Sequence, residues 1–585
     1  MVDFPGPPRA VRISADGLRV TFLRSGQLRI FDLPEGSERA VVTPGPLSWY
    51  SADALATVAA FEIGGELHRA DLATGEVTAI DVPGPVSEPR PDPTGRRIAY
   101  LTGGSLRVWQ PDGHDFLLAG EDSRGVSWGV AEPVASEVFG RDAGYWWSPD
   151  GEHILATRVD VSRLPDEGVP LAGQDNAMVS LHVLDLDGGW VDVHWDRLAY
   201  PYLAAAEWSH SGPLITVLRR LQQHGLALTI DPRTGETQVH AELSDPHWVE
   251  FVPGTPSRLP DGRVVLAGEL VRDGLDARCL FADGALLTPP SMYPRSVCGV
   301  LPEGLLLGAS EGEPSEQHLY LVSLAPSTPP RQLTTTPGWH SAVTGGDTYA
   351  LCSASWEHGE PQWTVVRGDT RYTLDSGTPL RAARPALTRV TDRQIPVAVC
   401  YPAGHVPGVR LPVLVQIGTR PGEQQVRADG GTWAERQWWA DQGFAVVSVD
   451  GRGTPGCSPR YEKVVHHRIG DVALADQCDA LHALAAKHPD LDLDRVGVRG
   501  TGYGGFLAIA ALLRRPDLFQ AGVAHAPLLD WGTASTGFAE RYLGLPLEQP
   551  EAYARHWLHE ELSTLERPLL MSADGELEFL REHLS

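Results

Sequence analysis

Six residues late in the chain, Gly500-Thr501-Gly502-Tyr503-Gly504-Gly505, join a strand-like run to a helix-like one. Asp494-Arg495-Val496-Gly497-Val498 alternates as a buried strand does. Phe506-Leu507-Ala508-Ile509-Ala510-Ala511-Leu512-Leu513 has the Ala and Leu content of a helix packed on a sheet. A tight turn of small residues in that setting lifts its apex side chain above the sheet, where a serine Oγ can attack a carbonyl once a base takes its proton. The apex here is Gly502, which has no side chain. Thr501 carries the neighbouring hydroxyl, but it precedes the apex and is expected to point elsewhere. The same glycines satisfy G-x-G-x-x-G with Asp530 further on, the outline of a dinucleotide turn and a second reading of them. Cys279, Cys298, Cys352, Cys400, Cys457 and Cys478 are scattered, without C-x-x-C spacing or clustered histidines. Buried free thiols are expected, with no metal site and no cofactor.

The elements that must position this turn come in two textures. Up to about residue 375, short alternating strands are joined by turns rich in Asp, Gly and Pro. These are Ser14-Ala15-Asp16-Gly17, Asp92-Pro93-Thr94-Gly95, Ser148-Pro149-Asp150-Gly151, Ser209-His210-Ser211-Gly212 and Leu259-Pro260-Asp261-Gly262. A strand such as Arg96 to Leu101 follows each, and a second turn type, Ala73-Thr74-Gly75 or Arg233-Thr234-Gly235, closes outer hairpins. Recurrence at roughly 50 residues indicates the four-stranded blades of a β-propeller. An array of β-sandwiches would not explain turns at blade spacing. After Pro385, strand candidates Leu411 to Val415 and Phe444 to Val449 alternate with helical stretches such as Ala473 to Lys487, as in a parallel α/β sheet. The expected division is a propeller over residues 1–375 and an α/β domain over 385–585.

A chain of 585 residues, 42% hydrophobic, has material for more than one core. Its net charge of −27 argues against a nucleic-acid partner, which would need clustered Lys and Arg. Met1-Val2-Asp3-Phe4-Pro5-Gly6 has neither a basic region nor an apolar one, and no long uninterrupted apolar window occurs, so a cytoplasmic protein without a membrane partner is expected.

Four segments carry a resemblance. Gly144-Tyr145-Trp146-Trp147-Ser148-Pro149-Asp150-Gly151, Asp450-Gly451-Arg452-Gly453-Thr454, Tyr503-Gly504-Gly505-Phe506 and Glu540-Arg541-Tyr542-Leu543-Gly544-Leu545-Pro546 together resemble the dipeptidyl peptidase IV branch of the prolyl oligopeptidase family, over nearly the whole chain. The resemblance implies an eight-bladed propeller followed by an α/β-hydrolase domain. It also implies a serine peptidase chemistry that releases dipeptides from free N-termini, using a Ser–His–Asp triad with a Tyr and a backbone N–H as oxyanion hole.

Residue by residue, the resemblance places Gly502 at the nucleophile, Gly418 at the oxyanion Tyr and the Tyr503 backbone N–H at the second oxyanion donor. Thr419-Arg420-Pro421 stands in place of a glycine pair and a proline. Asp574 matches the triad Asp. The family's His lies well beyond that Asp, whereas only Gly575 to Ser585 follow here, and His583 reads as a packing or surface residue on a terminal helix. The family's last strand and helix are thus expected to be missing, leaving an open edge and bare apolar surface near Leu569-Leu570-Met571, with self-association as one outcome. Glu137 matches the first of two ammonium-binding glutamates and Val138 the second, although a solvated Glu explains position 137 as well. Trp531, Ala534 and Phe538 match the apolar specificity pocket, which is expected to be wider and less polar. The expected protein is a degenerate homologue that retains peptide binding or a scaffold role, the alternative being an active serine exopeptidase.

Overall fold

The structure, a computed structural model, describes residues 6–165, 168–271, 273–325, 328–377, 383–418, 420–572 and 574–584. Residues 1–5, Thr419 and Ser585, named above, lie outside them. Eight antiparallel sheets, over residues 9–40, 51–80, 87–119, 126–192, 202–244, 257–286, 292–332 and 338–374, form the blades of an eight-bladed propeller. Seven have four strands and the fourth has five. The recurrent turns each join the first hairpin of a blade, and their last residues, Gly17, Gly95, Gly151, Gly212 and Gly262, have φ of 72° to 98°, where a Cβ is disfavoured. In the third blade the Asp92 carboxylate accepts the Thr94 and Arg97 N–H groups at 2.7 and 2.8 Å, which satisfies the bent backbone. The closing contact joins last blade to first: Thr348 Oγ1 donates to the Gly17 carbonyl at 2.8 Å.

The fourth blade carries an inserted helix, α1 (Pro133–Phe139), with Pro at its first position and Gly140 closing it in the left-handed region. A buried ion pair between Glu132 and Arg141 brackets it, and Arg141 Nε also donates to the Leu203 carbonyl at 2.9 Å.

Residues from Ala386 onward build one seven-stranded sheet. Its strands are β1 (Ala386–Val390), β2 (Ile395–Cys400), β3 (Leu411–Gln416), β4 (Ala445–Val449), β5 (Leu491–Thr501), β6 (Ala521–His525) and β7 (Leu569–Leu570), in spatial order β1-β2-β4-β3-β5-β6-β7. From β4 to β7 the neighbours are parallel, while β1 and β2 pair antiparallel. β4 is buried throughout, and its side chains alternate between two cores. Val447 and Val449 face α4 (Ile469–Lys487) and α5 (Tyr503–Arg514), whereas Val446 faces α2 (Ala434–Asp441). This is the α/β-hydrolase arrangement.

The last element is a terminal helix, α8 (Glu576–Leu584). It lies on the α2 face of the sheet with Leu580 and Leu584 fully buried against Leu414, Ala521 and Val523. That part of the sheet face is covered, whereas β7 lies at the sheet edge and Met571 is 50% exposed, as expected for the open edge. His583 does lie on this helix, with its ring on Phe579. Among the described residues no helix is long and apolar enough to cross a membrane.

The two domains meet through buried charge. In α6 (Thr536–Leu543), Glu540 accepts Arg220 Nε and Nη2 at 2.7 and 2.6 Å, Arg541 pairs with Glu250, and the Tyr542 ring meets Trp248 edge-on. Lys463, at the end of α3 (Pro459–Lys463), donates to Asp245 at 2.7 Å, Glu269 at 2.8 Å and the Trp248 carbonyl at 2.7 Å. Arg278 bonds Glu269 and Glu462 at 2.7 and 2.9 Å. Lys463→Ala would strand Asp245 and leave Glu269 with Arg278 alone in this seam, so we expect a loss of about 3–5 kcal/mol, read as a lower urea midpoint. His466 also sits at the seam, stacked on His467 and edge-on to His247. Burial, then its two histidine neighbours, hold it neutral by pushing its pKa from 6.5 to about 4. Between those values the unfolded chain binds a proton that the folded chain does not, so stability rises with pH across the window and is lost as pH falls toward 4. His466→Asn is expected to flatten that acid limb in stability measured against pH.

Candidate functional site

Between the domains lies a cavity of about 950 Å³. On the hydrolase side its walls are the loops that leave the carboxyl ends of β3, β4, β5 and β6, the usual location of a site in an open α/β sheet. Gly502 lies at the mouth of the elbow between β5 and α5, with φ 57° and ψ −116°. Its N–H donates to the His525 carbonyl at 2.9 Å, and its carbonyl accepts Phe506 N–H at 3.0 Å. Tyr503 opens α5, so its N–H has no intrahelical partner and the helix dipole adds to its pull on an anion. Its phenol is buried, and burial pushes its pKa well up. Thr501 ends β5 exposed, opposite His525 of β6. Asp530, the acidic residue of the dinucleotide reading, instead caps a short turn by accepting Gly532 N–H at 2.7 Å.

The elbow is held by close backbone approach. A Cβ on Gly504 would lie 2.5 Å from the Gly418 carbonyl oxygen and 3.0 Å from that of Ile417, so the turn packs directly on the loop after β3. Gly418 therefore adjoins the elbow, but it lines a narrow side cleft of about 40 Å³ and not the main cavity. The loop is fixed from below by Asp450-Gly451-Arg452-Gly453. Asp450 accepts the N–H groups of Gln425 and Val426, both at 2.9 Å, and Arg452 clamps Asp476 through Nε and Nη2 at 2.9 and 2.8 Å. Burial raises the Asp450 carboxyl to about 6, and the two N–H donors work against that rise.

Glu137 enters the cavity from α1. Its carboxylate accepts Ser535 Oγ at 2.5 Å, and Ser535 in turn caps α6 by accepting Phe538 N–H at 3.2 Å. The helices touch because residue 537 is glycine: a Cβ there would meet Val134 at 2.3 Å. Val138, Ala534 and Phe538 line the cavity too. Trp531 does not. It is 1% exposed and stacks behind Phe538, ring centroids 5.6 Å apart, backing the wall rather than forming it. Asp574 is exposed and, among the described residues, no histidine bonds it. His525 Nε2 is instead 2.8 Å from Glu576 Oε1. Sequence reasoning missed Tyr293, Arg295, Glu250 and Glu462, all in the cavity wall. Arg541 sits inside a recognised segment and was within reach, whereas the propeller residues have no local signature.

A propeller closed over the carboxyl edge of a hydrolase sheet, with a glycine elbow facing it, defines a propeller-capped hydrolase. The model of the prolyl oligopeptidase family matches residues 432–574, and that of the dipeptidyl peptidase IV N-terminal region matches residues 61–266. The chain belongs to the dipeptidyl peptidase IV branch of the prolyl oligopeptidase family. It is 24% identical to dipeptidyl peptidase 8 of Mus musculus, over 74% of this chain and 61% of that protein. To probable dipeptidyl-aminopeptidase B of Uncinocarpus reesii it is 26% identical, over 72% and 53% respectively. It thus spans roughly half to three-fifths of the length of these relatives. The fold is that of Porphyromonas gingivalis dipeptidyl peptidase 4, with TM-score 0.84 and 20% identity over 98% of this chain and 91% of that one.

Because Gly504 carries the contact between elbow and loop, Gly504→Ala must push them apart. We expect a loss of about 1–3 kcal/mol in denaturant unfolding, with the double variant of Glu137 and Gly504 additive because the two sites share no partner.

Proposed function

We propose that this chain is a dipeptidyl peptidase IV-like homologue that has lost covalent peptide cleavage and uses the interdomain cavity to bind short peptides. Gly502 carries the reading: the apex faces the cavity with no atom able to form an acyl-enzyme. The surroundings agree. No histidine lines the cavity among the described residues, Gly418 offers no phenol to an oxyanion, and the Ser535 hydroxyl is engaged by Glu137 and Phe538 without an imidazole beside it. Retention of a free amine by Glu137 rests on its exposed carboxylate, in the wall beside Ala534 and Phe538. The names of the relatives favour the second reading, an active serine exopeptidase releasing dipeptides.

A fluorophosphonate probe and a Xaa-Pro chromogenic substrate separate the two. No labelling and no turnover are expected, and stoichiometric labelling, at Thr501, Ser535 or elsewhere, would overturn the proposal. Gly502→Ser is expected to stay silent as well, because among the described residues a restored Oγ still finds no histidine in the cavity, and triad members act as a unit. Gly418 leaves a further deficit of about 3 kcal/mol, roughly a hundredfold in rate. Turnover by the single variant would reveal a base already in place.

A further inference from the structure

Among the described residues the cavity walls carry seven charged side chains, and five of them are spent on one another or on nearby polar groups. Arg278 is held by Glu269, Glu462 and Tyr293 Oη, and Arg541 by Glu250. Arg295 donates to Ser310 at 3.0 Å, Gln424 at 2.6 Å and the Pro314 carbonyl at 2.8 Å, and lies between the rings of Tyr293 and Trp339. Glu250 and Glu462 are the carboxylates consumed in these pairs. Two charges keep binding capacity. Glu137, from the propeller, accepts only the Ser535 hydroxyl among the described residues. Arg420, from the loop after β3, is exposed and uses only its backbone, its N–H reaching Glu423 Oε2 at 3.3 Å; its guanidinium makes no hydrogen bond or ion pair among the described residues.

One unspent anion and one unspent cation, each from a different domain, face the same cavity of about 950 Å³, with the apolar Ala534, Phe538 and Val138 also in its walls. A ligand matching this pattern has an ammonium, an apolar body and a carboxylate. We propose that the cavity is a receptor for free dipeptides or tripeptides as zwitterions, with Arg420 taking the C-terminal carboxylate through its planar fork of donors while Glu137 takes the α-ammonium. This rests on the peptide-binding reading above and narrows it: a long chain presents its N-terminus but no carboxylate within reach, so it forfeits half of the recognition. The ligand is then the product of peptide-bond hydrolysis carried out elsewhere, since this elbow has no nucleophile.

Isothermal calorimetry on the full chain, with Ala-Pro, Ala-Pro amide and N-acetyl-Ala-Pro, tests it. Ala-Pro is expected to bind at least tenfold more tightly than the amide, and the gap should shrink as salt is raised. Arg420→Gln should weaken Ala-Pro about tenfold and leave the amide unchanged, with Arg420→Lys intermediate; Glu137→Gln should weaken both. Melting curves matching the parent chain check that each variant is folded. Equal affinity for acid and amide, with no effect of Arg420→Gln, would overturn the role of Arg420 while leaving peptide binding intact. Absence of heat with every peptide would overturn both.

Discussion

The position of the hydrolase domain under the propeller depends on charges that neither domain could bury alone. Glu540 is enclosed on the α6 side and has its partner, Arg220, on the propeller; Lys463 is enclosed in α3 and has Asp245 and Glu269 there. A buried ion costs several kcal/mol unless a partner meets it with good geometry, so each pair tolerates very little displacement. An apolar seam could slide by an ångström at small cost. This one holds register, and the cavity exists only because the register holds: α1 from one side and the β-strand loops from the other form its walls.

That constraint separates binding from catalysis. The groups that shape the cavity are tied into the seam or into backbone packing, as with Arg541, Arg278 and the elbow itself. A reacting serine or an oxyanion tyrosine supports none of these contacts. On the proposed reading, Gly502 and Gly418 remove chemistry without loosening the walls, and a cavity of ligand size remains with the elbow in its floor.

Much of this was legible in the sequence because it is local. The propeller announced itself through turns whose Asp and Gly answer to backbone geometry within five residues, and the elbow through glycines between a β-branched run and an Ala-Leu run. What stayed hidden is long-range. Whether Trp531 lines or backs a pocket depends on how Phe538 stacks against it. That α8 would lie over Leu414 and Val523 follows from where β5 and β6 place Gly497 and Ala521, which no window of sequence contains. The pairing of Arg278 with Glu462, or of Lys463 with Asp245, spans roughly two hundred residues, and an isolated basic residue in sequence says nothing of which carboxylate it meets.

The elbow backbone bears on how such a chain changes over time. A residue with a Cβ at φ 57° and ψ −116° carries strain on the order of 1–3 kcal/mol, an amount a peptidase must hold in reserve to present its serine. Glycine occupies that conformation freely. If Gly502 replaces a serine in a chain that no longer cleaves, as proposed above, the exchange raises folding stability by itself, and the surplus offsets mutational losses elsewhere, since most substitutions destabilise. Loss of the nucleophile is then a step that widens the range of sequences compatible with the fold, and the wall of the cavity is where that latitude can be spent.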